Sequence, residues 1–279
     1  MVPSSGAEHQ TRAARYAEPV RKTLLAFSFI GFAACNSGPA WSRLSTGRNG
    51  DDTIGGEPAP VPKAHAAPTL DGKLDDEAWT SAALLGPLVE PGAGSAALKS
   101  PVAAIARMTW DDKNLYLGVV VHDVAPTSPF ARTDVDPHVW GAASGIELML
   151  QPGDPGDNKD YYELQVDVNG AVFDSHFDDY NSPITGTGAD KKFGHMEWSS
   201  GVARAVFQAI GHFYSVELAL PWSSIANART SVPPKPGDVW RLNLYTFRDG
   251  QRRAVAWSPL RGRGNFHRAE RFGRVRFTD

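Results

Sequence analysis

The residues of this chain best placed to do chemistry lie on segments that alternate polar and apolar. In Gly145–Gln151, Glu147 opposes Ile146, Leu148 and Leu150. In Tyr161–Val168, Glu163, Gln165 and Asp167 oppose Tyr162, Leu164, Val166 and Val168. In Val239–Arg248, Arg241, Asn243 and Tyr245 oppose Trp240, Leu242 and Leu244. Successive residues of a strand point to opposite faces, so each segment puts its polar set on one side. If the three segments are neighbours, Glu147, Gln165 and Asn243 share a polar platform. Carboxylate and amide groups held this way would hydrogen-bond a polyhydroxylated ligand. Glu147 with Glu163 or Asp167 would also supply the two carboxylates of a glycosidase. An open strand platform gives neither of them the raised pKa of an acid catalyst. The chain also has no GxSxG, no HExxH and no Cys–His pair, so the pattern favours binding over catalysis. The plain alternative is that a half-exposed antiparallel sheet always has a polar side.

The elements that must position these residues are strands. Val102–Trp110, Leu115–Val121, Gly145–Gln151, Tyr161–Val168, Ala171–Asp174, Val202–Ala209, Phe213–Leu220, Val239–Phe247, Ala254–Trp257 and Phe272–Phe277 all read as β. Asn169-Gly170 is a hairpin-turn signal. Only Asp75–Leu85 and Trp222–Ala228 look briefly helical. Many short strands with one or two short helices predict an all-β antiparallel sandwich of jelly-roll or immunoglobulin-like type. The chain has 279 residues, 42% of them hydrophobic, and a net charge of −3. It shows no basic stripe of the kind that binds nucleic acid. The single cysteine excludes an internal disulfide, so the core alone must hold the fold.

That cysteine, Cys35, closes the apolar run Thr23–Ala34, which follows Arg21 and Lys22. The run is too short to span a bilayer core of about 30 Å as a helix, and its basic start and small closing residues are those of an export signal. Ending on Cys resembles the bacterial lipoprotein box, with Phe32 where that box prefers Leu. The resemblance implies lipidation of Cys35, a membrane attachment through lipid only, and a place in the cell envelope, on its periplasmic face or at the cell surface. Residues 1–35 are then the signal segment, with translation expected to begin at Val20. Residues 36–67, rich in Gly, Ser, Pro and Ala, read as a flexible tether, and 68–279 as the folded domain.

Within that domain the order of motifs resembles the family 9 carbohydrate-binding module. The pieces are Leu70–Trp79 (LDGKLDDEAW), Trp110–Leu117 (WDDKNLYL), Gly145–Leu150, the strand with Gln165 and its Asn169-Gly170 turn, Glu217–Trp222 (ELALPW), Gly237–Asn243 (GDVWRLN), Trp257-Ser258-Pro259, Phe266-His267 and Arg271-Phe272-Gly273. The resemblance implies a β-sandwich in which two aromatic rings sandwich a terminal sugar and polar side chains bond its hydroxyls. Trp140 and Phe266 match the stacking rings. Glu147, Gln165 and Asn243 match the polar set, with Arg248 as an added donor and His267 beside Phe266. Phe266 stands where the best-known site has Trp, and Gln165 where it has Arg. The implied role is non-catalytic capture of a mono- or oligosaccharide, at a chain end, beside glycoside hydrolase partners. Each residue also has a structural reading: Trp140 as a loop anchor, Glu147 as a cross-strand partner of Arg241 or Arg248, Asn243 satisfying backbone, Phe266 capping the core. Trp79, Trp110, Trp222 and Trp240 are assigned to the fold itself.

No cofactor is required by this reading. Structural calcium is an option, with Asp154, Asp157 and Asp160 in one turn as the candidate oxygens. Two further classes stay open. Related sandwiches bind b-type haem through Met and His, for which Met149 with His122, His176, His195 or His267 would serve. A surface scaffold that has lost its ligand is the other.

Overall fold

A computed structural model describes residues 47–94, 100–209, 212–248, 253–262 and 264–279. The signal segment, Cys35, Val20 and the first part of the expected tether lie outside these residues. The described chain forms two sheets. Its strands are β1 (Ala59–Pro62), β2 (Ala83–Leu85), β3 (Val102–Trp110), β4 (Asn114–Asp123), β5 (Gly145–Gln151), β6 (Lys159–Asp167), β7 (Val172–Asp179), β8 (Ala203–Ala209), β9 (Phe213–Pro221), β10 (Val239–Arg248), β11 (Arg253–Ala256) and β12 (Gly273–Thr278). Two five-residue helices, α1 (Gly50–Ile54) and α2 (Glu77–Ser81), join them. The larger sheet runs β1-β12-β10-β5-β6-β7, with β11 also on β10, and the smaller runs β2-β3-β4-β9-β8. Every strand pair is antiparallel except β1 with β12.

The alternation read from the sequence faces the sheets onto each other. Leu115, Leu117, Val119 and Val121 of β4 meet Ile146, Leu148 and Leu150 of β5 and Trp240, Leu242 and Leu244 of β10 in one buried cluster. Burial at roughly 25 cal/mol per Å² of apolar surface is the main stabilising force in a chain without disulfides. At one end of this core Phe277 packs edge-on against Trp110, Trp222 and Trp240. The Trp110 indole donates to the carbonyls of Val61 and Thr278 and so ties β1 to β12.

Two expectations change here. The segment 47–67 is folded and is no tether: β1 pairs with β12 from Ala59↔Val275 to Pro62↔Thr278, and Thr53 is fully buried. Ala59 and Val61 alternate with Pro60 and Pro62, and only the former are buried. Proline disguises this edge strand, because an edge position is one of the few places a sheet accepts it. Second, the polar face of the larger sheet is not open. Every residue of β5 is buried, and so are seven of nine in β6 and seven of ten in β10. Phe272, Ala269 and Leu260 pack on Met149, Tyr161 and Tyr245, while Val139 and Ala143 pack with Phe247. Residues of 130–143, 257–262 and 264–272 thus roof the face that a simple sandwich leaves wet. The helical expectation for Asp75–Leu85 resolves into α2 and then β2, and that for Trp222–Ala228 into a single 3₁₀ turn, Trp222–Ser224.

Glu217 explains why the LDGKLDDEAW segment and the ELALPW segment belong together. Its carboxylate accepts from the backbone N–H of Asp71 at 3.0 Å and of Gly72 at 2.7 Å, and from the Trp79 indole at 2.7 Å. The group is fully buried on β9, so three donors depend on it. Glu217→Ala is expected to cost about 2–4 kcal/mol, because buried donors left without an acceptor are expensive. Urea denaturation of the variant beside the wild type measures this, and an unchanged midpoint would refute the role.

Candidate functional site

Strand register lays the polar residues in two rows across the outer face of the larger sheet. Tyr245, Glu147, Gln165 and Phe173 are successive cross-strand partners on β10, β5, β6 and β7. The adjoining row is Asn243, Met149, Glu163 and Ser175. Above these rows lies a cleft of about 310 Å³. Glu147, Glu163, Gln165 and Phe173 line it from the sheet, His138 and Trp140 from one loop, and Gly264, Asn265, Phe266 and His267 from the other.

The floor is built on Gln165. Its Nε2 donates to Glu147 Oε2 at 3.0 Å and to Glu163 Oε1 at 2.6 Å. Its Oε1 accepts from the Trp140 backbone N–H at 3.0 Å. Both amide protons are therefore committed to carboxyls, and the oxygen fixes the loop that carries Trp140. What remains for a ligand is one open oxygen on each carboxyl. Glu147 Oε1 is buried with no protein partner, and Glu163 Oε2 lies 3.8 Å from His267 Nε2. Glu147, Gln165 and Glu163 are 2%, 3% and 6% exposed, so these groups sit in a medium that penalises charge. Burial, reinforced by the neighbouring Glu163, holds the Glu147 carboxyl well above its ordinary range. Burial pushes Glu163 up to about 7, and pushes His267 down to about 4. His267 is thus a neutral imidazole, bonded to the Tyr161 hydroxyl at 2.8 Å and stacked on Tyr180 at 4.1 Å.

The aromatic walls differ from a parallel sandwich. Phe266 lies flat on Tyr245, with centroids 3.7 Å apart and planes at 4°. Trp140 meets Phe266 at 4.8 Å and 63°, and Phe247 at 4.8 Å and 88°. Two rings in edge contact leave no slot between them for a sugar ring. They make a corner, with Trp140 as the wall beside the carboxyl floor.

Of the residues expected from sequence, Trp140, Glu147, Gln165, Phe266 and His267 come together at the cleft. Asn243 and Arg248 do not line it. Asn243 is fully buried, its Nδ2 donates to Tyr245 Oη and the Ser258 carbonyl, and its Oδ1 accepts from the N–H groups of Leu244 and Ser258. With every bond satisfied it is a brace for the roof, kept from the carboxyls by Met149. Arg248 lies 3.5 Å from Asp123, and Arg241 2.7 Å from Asp154, so neither expected partner pairs with Glu147. His138, Phe173 and Asn265 enter the site unannounced, and Glu163, read from the sequence as a possible second carboxylate on this face, joins the floor of the cleft. For Glu163 the signal was available, two residues from Gln165 on the same face; the loop residues carry no periodicity to read.

The calcium candidates are held by arginines. Asp154 contacts Arg241 and Arg274, while Asp157 and Asp160 contact Arg229. Guanidinium groups supply the positive charge that these oxygens were expected to find in an ion. Asp167 caps the Asn169-Gly170 turn, accepting from the N–H groups of Asn169 and Ala171. Met149 is fully buried with Tyr161, Phe177 and Tyr245 and does not line the cleft.

Residues 70–279 match the family described as carbohydrate family 9 binding domain-like. No curated protein matches the chain. A carbohydrate binding module of family 9 from Caldicellulosiruptor kristjanssonii, solved with cellotriose, is similar at TM-score 0.52 and 15% identity, over 78% of this chain and 93% of that one. A family 9 module from the same organism, solved with glucose, gives 0.51 and 14%, over 78% and 95%. A crystal structure from Bacteroides uniformis gives 0.59 and 18%, over 78% and 97%.

The raised Glu163 carboxyl gives a stability test. Between pH 4.5 and about 7 the folded chain keeps a proton on Glu163 that the unfolded chain has released. Stability from this group is therefore complete at low pH and is lost as pH rises through that window. His267 works in the opposite sense, since the unfolded imidazole takes up a proton that the folded one refuses between its lowered value of about 4 and 6.5. Comparing wild type with Glu163→Gln isolates the carboxyl. The variant is expected to gain on the wild type as pH rises from 4.5 to 7, with a slope no steeper than about 1.4 kcal/mol per pH unit. Urea titrations across that range read the difference, and a difference independent of pH would remove the assignment.

Proposed function

The chain belongs to the carbohydrate family 9 binding domain-like family, and from the geometry of its own cleft we propose that it is a non-catalytic carbohydrate-binding protein. The observation that carries this reading is Glu147 Oε1, a buried carboxyl oxygen without a protein partner on the floor of an aromatic-walled cleft. A sugar hydroxyl would donate to it while the C–H face of the ring packs on Trp140. A pyranose offers both surfaces at once, and burying the carboxyl oxygen without a donor costs free energy. The similar structures from Caldicellulosiruptor kristjanssonii hold cellotriose and glucose, which makes a gluco-configured sugar the first ligand to test.

Catalysis fits the floor poorly. Glu147 and Glu163 rise from adjacent strands and share one amide nitrogen. Both therefore lie on one side of any bound sugar, whereas a glycosidase needs its carboxyls flanking the scissile bond.

We also propose that Cys35 is lipidated and that the protein works at the cell envelope beside glycoside hydrolases. The support is the basic and apolar segment that ends on Cys35.

Calorimetric titration of the purified protein with glucose and cello-oligosaccharides is expected to show binding. Trp140→Ala should weaken it by about tenfold or more, equivalent to about 1.4 kcal/mol or more. Absence of binding to any mono- or oligosaccharide across an array would overturn the reading. For the anchor, Cys35→Ser should move the protein from the detergent phase to the aqueous phase in a cloud-point partition. An unchanged distribution would refute lipidation at that residue.

A further inference from the structure

The cleft's hydrogen-bonding inventory says more about its ligand than that it is a sugar. Gln165 has no proton left to give, because both of its N–H groups bond carboxyls. His267 is engaged with the Tyr161 hydroxyl through Nδ1. The two carboxyls retain open acceptor positions, one of them Glu147 Oε1 with no partner at all. No lysine or arginine is found among the described residues that line the cleft. Trp140, Phe173 and Phe266 present rings to the same space. Buried carboxyls beside aromatic rings, with no lysine or arginine among the described lining residues, form an environment suited to a positive charge. An ammonium group takes up the carboxylate oxygens by charge-assisted bonds and is attracted to ring faces.

We propose that the cleft selects an amine-bearing sugar, a glucosamine-type residue with a free ammonium group, over its neutral and N-acetylated counterparts. This rests on the carbohydrate reading of the same site. The ammonium would sit between Glu147 Oε1 and Glu163 Oε2, the oxygens that Gln165 leaves open. An acetamido group would fail there, since it carries no charge and brings bulk to a floor shaped by two short-range acceptors. The empty carboxyl pair holds protons at mildly acid pH because burial disfavours its charge. Arrival of the ammonium restores the charged form, so binding should release protons to solvent. Tyr161, Tyr180, Tyr245 and His267 also face these carboxyls, and the tyrosines and the neutral His267 imidazole carry no charge near pH 6; His138 is the other titratable group on the cleft wall.

The test titrates the full chain near pH 6 with glucosamine and its β-1,4 oligomers, with glucose and cello-oligomers, and with the N-acetylated series. Free-amine sugars should bind at least about tenfold tighter than the neutral ones. Calorimetry in buffers of differing ionisation enthalpy should report proton release for the amine series alone. Glu147→Gln and Glu163→Gln should each shrink the ratio of free-amine to neutral-sugar affinity and abolish the proton release, with thermal melts checking the fold. Equal or weaker binding of free-amine sugars beside measurable binding of glucose or cello-oligomers overturns this inference and leaves the carbohydrate reading intact. Ethanolamine binding as tightly as glucosamine also overturns it, because the sugar would then contribute nothing. Failure of every sugar to bind overturns both.

Discussion

Everything distinctive about the site follows from one amide bridging two buried carboxyls. Gln165 Nε2 touches Glu147 and Glu163 at once, and its oxygen holds the backbone that presents Trp140. A single neutral side chain thus fixes the floor and one wall together. An arginine there would have held the pair ionised; glutamine orients it and leaves burial to disfavour its charged form. Acceptors predominate in the resulting cleft, and a donor-rich or cationic ligand completes it.

This arrangement depends on the roof. A polar row on the outer face of an antiparallel sheet ordinarily meets water, which satisfies its hydrogen bonds and screens its charges. Here residues of 130–143, 257–262 and 264–272 lie over that face, Phe266 stacks on Tyr245, and Asn243 binds the backbone of Ser258. Removal of water raises the energetic weight of every polar contact beneath. The same strands that bury Ile146, Leu148 and Leu150 against the second sheet therefore hold Glu147 in a second, polar interior.

Much of this was legible in the sequence because strand alternation is a strong signal. The β5, β6 and β10 segments were placed to within about two residues, and the faces of Glu147, Gln165 and Asn243 follow from period-two geometry. What alternation cannot say is whether a face is open, since that depends on where loops of no period fold back. Hence Asn243, which shares a face with Glu147, was expected at the ligand and is instead a brace. The ring pair was read from position along the chain, yet the angle of 63° between Trp140 and Phe266 is set by tertiary packing. The proline-marked β1 was missed because the strand it pairs with, β12, lies at the far end of the sequence, more than 200 residues away.

Two buried glutamates show how structure and function separate in this fold. Glu217 and Glu147 are both inaccessible carboxyls on strands. Glu217 has three donors, two from backbone and one from Trp79, which occupy both of its oxygens. Glu147 has one donor, and its second oxygen is empty. Burial alone does not distinguish a structural acid from a binding one. The distinction lies in whether the surrounding fold completes the hydrogen bonds. Where it does, the residue fastens two segments. Where it stops one bond short beside an opening, the missing donor must come from outside the chain.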